Sequence, residues 1–160
     1  ACLVGSEMCI RDRNQIVLVS AINNLNVGMQ RTKGYSKAMI EAKLKPVVIE
    51  ANRNDIERVL KNYVVNNSLD AVIALDTDAS FAAYKVASEL KKKIPNDIAV
   101  IGYMSERIAS YLSPGLSTIN QNSFTIGKMA ANMLLEQLES KENNNKTLVV
   151  DSTLSQRKSS

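Results

Sequence analysis

Residues 93–121, KIPNDIAVIGYMSERIASYLSPGLSTINQ, decide the fold class. Lys93-Ile94-Pro95-Asn96-Asp97 ends a helix and turns the chain, because proline cannot continue a helix while Asn and Asp bond back to nearby backbone. Ile98-Ala99-Val100-Ile101 then runs apolar without alternation and stops at Gly102, the pattern of a strand buried on both faces. An irregular polar stretch, a Pro114-Gly115 turn and a second short strand over residues 116–120 complete the run.

The same alternation extends upstream. Residues 15–20 form a short apolar run ending in Asn-rich sequence, and residues 28–42 carry Met29, Ala38, Met39 and Ala42 at loosely helical spacing. Residues 45–50 return to β-branched side chains. Asn54-Asp55-Ile56-Glu57 has capping-box character and opens a helix with Ile56, Val59, Leu60 and Tyr63 on one face. Residues 71–75 read as the next buried strand. A helix over residues 78–92 is expected to bury Phe81, Ala82, Val86 and Leu90 or near neighbours, and a strand over residues 98–103 closes the series. Strands apolar on both faces, separated by helices, predict an α/β fold with a parallel sheet flanked by helices. Right-handed crossovers place the C-terminal ends of such strands on one edge, where ligands of open α/β sheets bind.

Farther downstream, residues 123–139 form a helix with an apolar stripe of Ile126, Met129, Ala130, Met133, Leu134 and Leu138. Residues 141–145, KENNN, read as an exposed linker, and residues 147–150 as a returning strand that extends towards Leu154.

Several separated motifs, in order, resemble the C-terminal core of the LacI/GalR family of bacterial transcription regulators. Ile94-Pro95-Asn96-Asp97-Ile98-Ala99-Val100-Ile101-Gly102-Tyr103 matches that family's IPxDIxVxGF pattern. The stretch from Pro114 to Gln121 matches P-x-LTT-[IV]-x-Q, Gly127 to Ala130 its G-x-x-A helix, and Arg157-Lys158-Ser159-Ser160 its R-x-S-T ending. The resemblance covers residues 14–160. It implies a periplasmic-binding-protein-like fold of type I, here the C-terminal subdomain plus a strand-helix piece of the N-terminal subdomain. The apolar stripe of residues 123–139 either docks on this chain or stays exposed.

Residues 2–13, CLVGSEMCIRDR, read differently: as the conceptual translation of a transposase sequencing adapter, a non-native leader to be set apart from fold reasoning. Both cysteines, Cys2 and Cys9, fall inside it, so no disulfide, thiolate nucleophile or cysteine metal site is argued. Histidine is absent, which removes the commonest general base and metal ligand. Phosphate-cradling G-x-G-x-x-G and G-x-x-x-x-G-K-[ST] loops are absent too. No catalytic residue, metal or cofactor is expected, and the chain is not read as an enzyme. Net charge is +4, and the Lys91-Lys92-Lys93 run suits a helix C-terminus rather than a nucleic-acid surface. No apolar run reaches the roughly 18–20 residues that span a bilayer, so no membrane partner is expected.

Four candidate ligand-binding residues follow from the resemblance: Arg31, Asp76, Tyr103 and Ser105. Arg31, in Arg31-Thr32-Lys33-Gly34-Tyr35, matches R-x-x-G-[FYW] and would offer a planar fork of donors to an effector; otherwise it is a solvated helix arginine. Asp76 follows the strand at residues 71–75; it or Asp78 would accept from sugar hydroxyls, but Asp78 reads equally as the N-cap of the next helix, which favours Asp76 as the ligand residue. Where the family has an acid after Gly102-Tyr103, this chain has Met104 and then Ser105, which puts a plain sugar in doubt and leaves Ser105 as a hydroxyl contact. Tyr103 is either core or a stacking face, and Tyr35 and Tyr111 are the other aromatic platforms. Phe124 is expected to pack at its helix start.

The resemblance implies the effector-sensing portion of a cytoplasmic regulator, a homodimer that binds a small sugar-like molecule. It would meet operator DNA only through helix-turn-helix heads absent from these residues. A periplasmic sugar receptor of an import system is the alternative, and an α/β enzyme a third.

Overall fold

The computed structural model describes residues 13–139 and 146–160. The cysteines of the expected leader and the expected linker at residues 141–145 lie outside the described residues. Arg13 is described, and its guanidinium donates to the carbonyls of Asp70 and Pro95.

Strands and helices alternate: β1 (Ile16–Ser20), α1 (Asn26–Glu41), β2 (Val47–Glu50), α2 (Ile56–Asn66), β3 (Ala71–Ala74), α3 (Thr77–Glu89), β4 (Ala99–Gly102), α4 (Glu106–Tyr111), β5 (Ser117–Asn120), α5 (Ser123–Glu139) and β6 (Thr153–Ser155). They form one six-stranded sheet in the order β2-β1-β3-β4-β5-β6. Strands β1 to β5 are parallel, and β6 runs antiparallel to β5. This is the flanked parallel sheet expected from strands without alternation.

Alternate side chains of each strand feed two cores. Val17, Val19, Val72, Ala74 and Val100 face Ile56, Leu60, Ala79, Ala83 and Val86 of α2 and α3. Ile16, Leu18, Ile73, Leu75 and Ile101 share the opposite face with Tyr35 and Met39 of α1. Tyr35 is therefore core rather than a stacking platform. Its hydroxyl donates to the Ile16 carbonyl (2.9 Å) and accepts from the Val47 N–H (3.0 Å), tying β1 to the start of β2.

Helix α3 departs from the expected burial. Its buried positions are Ala79, Ser80, Ala82, Ala83, Val86 and Ala87, whereas Phe81 is exposed. Small side chains let this helix lie close to the sheet, and a Phe on that face would hold it off. At its closest, a Cβ on Gly102 would stand 2.4 Å from Ser80 Oγ.

The capping box at Asn54 does not form. Asn52 instead accepts from the N–H groups of Asn54 and Asp55, both at 3.0 Å, and α2 starts after Asp55. The irregular stretch after β4 contains the six-residue helix α4. Residues 147–150 form no strand. The return pairs only from Thr153, opposite Asn120, because only there does the chain lie beside β5.

The last residues lock β4 and β5 together. Ser159 Oγ donates to the Val100 carbonyl (2.6 Å) and accepts from the Ser117 N–H (2.7 Å), fully buried. Arg157 donates to the Leu116 carbonyl (3.0 Å) and to Thr118 Oγ1 (2.9 Å). This is the structural use of the R-x-S-S ending.

Of α5, none of the described residues is buried, and Phe124, Ile126, Leu134, Leu135 and Leu138 are exposed. Phe124 thus does not pack at the helix start. The apolar stripe does not dock on the sheet.

Gly102→Ala is expected to cost about 1–3 kcal/mol through its overlap with Ser80 Oγ. Adding Ser80→Ala should restore part of that loss. Urea unfolding followed by circular dichroism would show the two costs as non-additive.

Candidate functional site

The strand order reverses at β1: the chain crosses to β2 on one side by α1, and reaches β3 on the other by α2. Loops leaving β1 and β3 diverge there, which opens a crevice at the C-terminal ends of these strands. Three of the four expected site residues stand on this edge together: Arg31 on α1, Asp76 after β3 and Tyr103 after β4.

The Arg31 guanidinium carbon lies 3.9 Å from the centroid of the Tyr103 ring. Its Nη1 donates to the Leu75 carbonyl (2.7 Å) and its Nη2 to Gln121 Oε1 (2.8 Å). Burial pushes the Arg31 pKa down, opposed by nearby Tyr103 and Asp76. Burial pushes the Tyr103 phenol up, opposed by Arg31. Arginine remains a cation at neutral pH, so the edge carries a stacked, half-buried positive charge. Arg31 is thus no freely solvated helix arginine, and Tyr103 packs against the core while carrying Arg31 on its ring face.

Asp76 is the N-cap of α3: its Oδ1 accepts from the Ala79 N–H (2.9 Å). The other oxygen, Oδ2, accepts from the Ala21 N–H just past β1 (2.8 Å). One carboxylate therefore bridges the two loops that part at the crevice. Asp78, the residue expected to cap this helix, instead lies in its first turn and pairs with Arg53 at 2.7 Å. Strand β3 ends at Ala74, so the extended cap position (φ −151°) falls on the first acid.

Ser105 caps α4, its hydroxyl accepting from the Ile108 N–H at 3.4 Å, and it is exposed. Met104, in the place of the family's acid, is buried. Tyr111, at the end of α4, is 76% exposed. Gln121 was not singled out as a site residue, although the P-x-LST-I-x-Q motif ends on it. Its partner lies 90 positions away, a separation no local pattern reveals.

A cavity of about 290 Å³ opens beside Arg31 and Tyr103, running between α1 and the sheet against Leu18, Met39, Ile73 and Leu75. Among the described residues no three His, Cys, Asp or Glu side chains gather as metal ligands. The edge offers hydrogen-bond donors, an aromatic face and an apolar recess: equipment for holding a small molecule.

The fold and this edge define a ligand-binding α/β lobe. A family model described as a periplasmic binding protein-like domain matches residues 11–160. The chain belongs to that family, as a LacI/GalR-type effector-binding core. The HTH-type transcriptional repressor PurR of Edwardsiella ictaluri is 29% identical, covering 98% of this chain and 48% of its own length. The ribose operon repressor of Haemophilus influenzae is 31% identical, covering 80% and 40%. The chain thus spans about half the length of the curated relatives it matches.

Two solved structures share the fold. A transcriptional regulator CelR–cellobiose complex superposes with a TM-score of 0.87 at 21% identity, covering 98% of this chain and 50% of the other. A LacI family regulator from Enterococcus faecium with bound ribose gives 0.86 at 22%, covering 99% and 60%. Among the described residues no helix is long and apolar enough to cross a membrane.

Because both Asp76 oxygens are in use, Asp76→Ala is expected to lower stability by about 1–2 kcal/mol. Asp76→Asn, which keeps one acceptor oxygen, should fall between Ala and the parent chain. Urea midpoints measured at one pH would establish that ranking.

Proposed function

We propose that the chain is the effector-sensing portion of a LacI-type DNA-binding transcriptional regulator of the cytoplasm, and not an enzyme. The observation that carries this reading is the stacked Arg31–Tyr103 pair at the sheet's C-terminal edge, in a chain whose matched relatives are named repressors. A small sugar-like effector would sit on this edge. Arg31 donates to it, Tyr103 supplies a face, and Ser105 retains a hydroxyl proton to give. Asp76 holds the two loops in place and accepts from the ligand only through lone pairs that its backbone bonds leave open.

A second lobe closing over this edge would convert ligand binding into a change of domain angle. In a homodimer that shift in population alters how well upstream helix-turn-helix heads fit operator DNA. Only molecules that bind the closed form better than the open form can act in this way.

In this reading residues 14–160 are part of one effector domain and residues 1–13 a non-native leader. Sequencing the native locus upstream of Asn14 tests both claims. An in-frame segment opening with a helix-turn-helix is expected. A secretion signal there would instead make the protein a periplasmic receptor, and genomic DNA encoding CLVGSEMCIRDR would remove the leader from the account. Since this chain supplies one side of the cleft, calorimetry should find weak sugar binding or none. Tight binding would contradict the two-lobed clamp.

A further inference from the structure

At the sheet edge opposite the crevice, the turns that lead into the strands are basic. Lys43 and Lys45 precede β2, and Lys91, Lys92 and Lys93 precede β4; the parallel register puts both turns on the same edge. Lys158 joins them, because β6 runs antiparallel and the next residue, Ser159, bonds to Val100 in β4. All six lysines are exposed, and among the described residues none of them takes part in an ion pair.

The acids nearby do not cancel this charge. Glu41 and Glu89, at the ends of α1 and α3, pair with Lys37 (3.8 Å) and Lys61 (2.7 Å). Asp70 accepts from the N–H groups of Asn14 and Gln15, and Asp97 from that of Lys93. Six lysines against these last two acids leave an excess of four, as large as the net charge of the whole chain, +4.

Two of these cations occupy backbone that resists a side chain. Lys43 and Lys91 are left-handed, at φ 59° and 54°. Each follows a helix end, α1 or α3, in the same hydrogen-bonded turn. The Leu44 N–H reaches the Met39 carbonyl (2.8 Å) and the Lys92 N–H the Ala87 carbonyl (2.8 Å). Glycine fits such a position best, since a Cβ is crowded there. A cation near a helix C-terminus complements the dipole, but a place in the last turn would serve that end without strain. The last turns of both helices hold no basic residue.

From β2 to β4 the row spans three strand spacings, about 14 Å. That exceeds the roughly 8 Å screening length at physiological salt and is too wide for one small anion. Half-buried Leu44, Pro46, Ile94 and Pro95 are interspersed with the lysines along these turns. Apolar residues among charged ones suit a protein interface. Nucleic-acid sites rely on arginine forks and stacking aromatics, and the exposed aromatics here, Phe81, Tyr111 and Phe124, belong to α3, α4 and α5 instead.

We propose that this edge docks an acidic segment of a partner protein, rich in Glu and Asp with apolar residues between them. Its carboxylates meet the lysines, and its apolar side chains rest on Leu44, Pro46, Ile94 and Pro95. Docking here is independent of the Arg31 edge, which lies at the other end of the strands.

The test is fluorescence anisotropy of a labelled peptide, four repeats of Glu-Glu-Leu, titrated with the whole 160-residue chain. Three comparisons accompany it: the Gln-Gln-Leu counterpart, an oligothymidylate of equal charge, and phosphatidylcholine vesicles containing phosphatidylserine. The acidic peptide is expected to bind, roughly tenfold more weakly when salt rises from about 0.05 M to about 0.5 M, and the neutral one not to bind. Lys43→Gly with Lys91→Gly should weaken binding roughly fivefold. The thermal midpoint of that variant should hold, because relief of the left-handed backbone offsets the lost cations. Lys33→Gln with Lys128→Gln removes as much charge elsewhere and should leave affinity unchanged.

No binding of the acidic peptide at low salt would overturn the proposal. Equal losses in the two paired variants would do so too, since net charge alone would then act. A lower midpoint with unchanged affinity would reduce Lys43 and Lys91 to helix caps. Tighter binding of the oligothymidylate or the vesicles would make the partner a nucleic acid or a membrane, and the acidic segment would be wrong. Should the glycine variant fail to fold, Lys92→Gln with Lys93→Gln decides, and unchanged affinity there overturns the proposal.

Discussion

One carboxylate holds the functional end of this molecule together. Parallel pairing on both sides of β1, with α1 on one face and α2 and α3 on the other, forces the loops after β1 and β3 apart. Asp76 spans that divide, accepting from Ala21 on one loop and from Ala79 in the first turn of α3 on the other. Each bond removes an otherwise unpaired N–H, one of them a helix-end donor. With the loops fixed, the Leu75 carbonyl stands where Arg31 reaches it, and Arg31 in turn comes to rest on Tyr103 and Gln121. The ligand edge is thus set up by backbone capping, with the cation placed second.

The sheet was legible because its strands are short apolar blocks between helices, and burial on two faces leaves that mark in any sequence. The cores follow the same logic, since alternate residues of β1 and β3 belong to opposite layers. What escaped the sequence reading depends on distances rather than on pattern. Whether Asp76 or Asp78 caps α3 turns on where β3 stops, a matter of one residue. Phe81 is a large apolar side chain, yet α3 buries four alanines, Val86 and Ser80, the last lying against Gly102. Hydrophobicity ranks residues by size, whereas close packing selects the small ones. For the site, Arg31 and Tyr103 were legible only through the family motifs. Gln121 belongs to such a motif as well, but its contact is made by the tertiary fold alone.

Stability falls away from the sheet towards α5. The central strands of the sheet are buried on both faces, and the tail from Arg157 to Ser159 adds buried hydrogen bonds across β4 and β5. Helix α5 buries none of its described residues, so its Leu134, Leu135 and Leu138 forgo about 1.5–3 kcal/mol each that full burial would contribute. Most helical stability in a protein comes from packing an amphipathic face, which the described residues of α5 do not do. What holds its N-terminal end is local. Asn122, at φ 52°, takes its N–H to Asn120 Oδ1 (2.8 Å) and donates through Nδ2 to the Asp151 carbonyl of the returning chain (2.7 Å).

That arrangement places the site at the boundary between the rigid and the weakly held parts. Gln121 sits between Asn120, the last residue of β5, and Asn122, which joins the outgoing and returning segments. Its side chain is bonded to Arg31 at 2.8 Å. The cation of the ligand edge and the exit towards α5 therefore share one hydrogen bond. A change at Arg31 Nη2 would be felt directly by the segment leading to α5, because the two are already partners. Coupling in such a lobe needs no pathway through the core. It needs only that Arg31, on the crevice edge, also holds the residue just past β5.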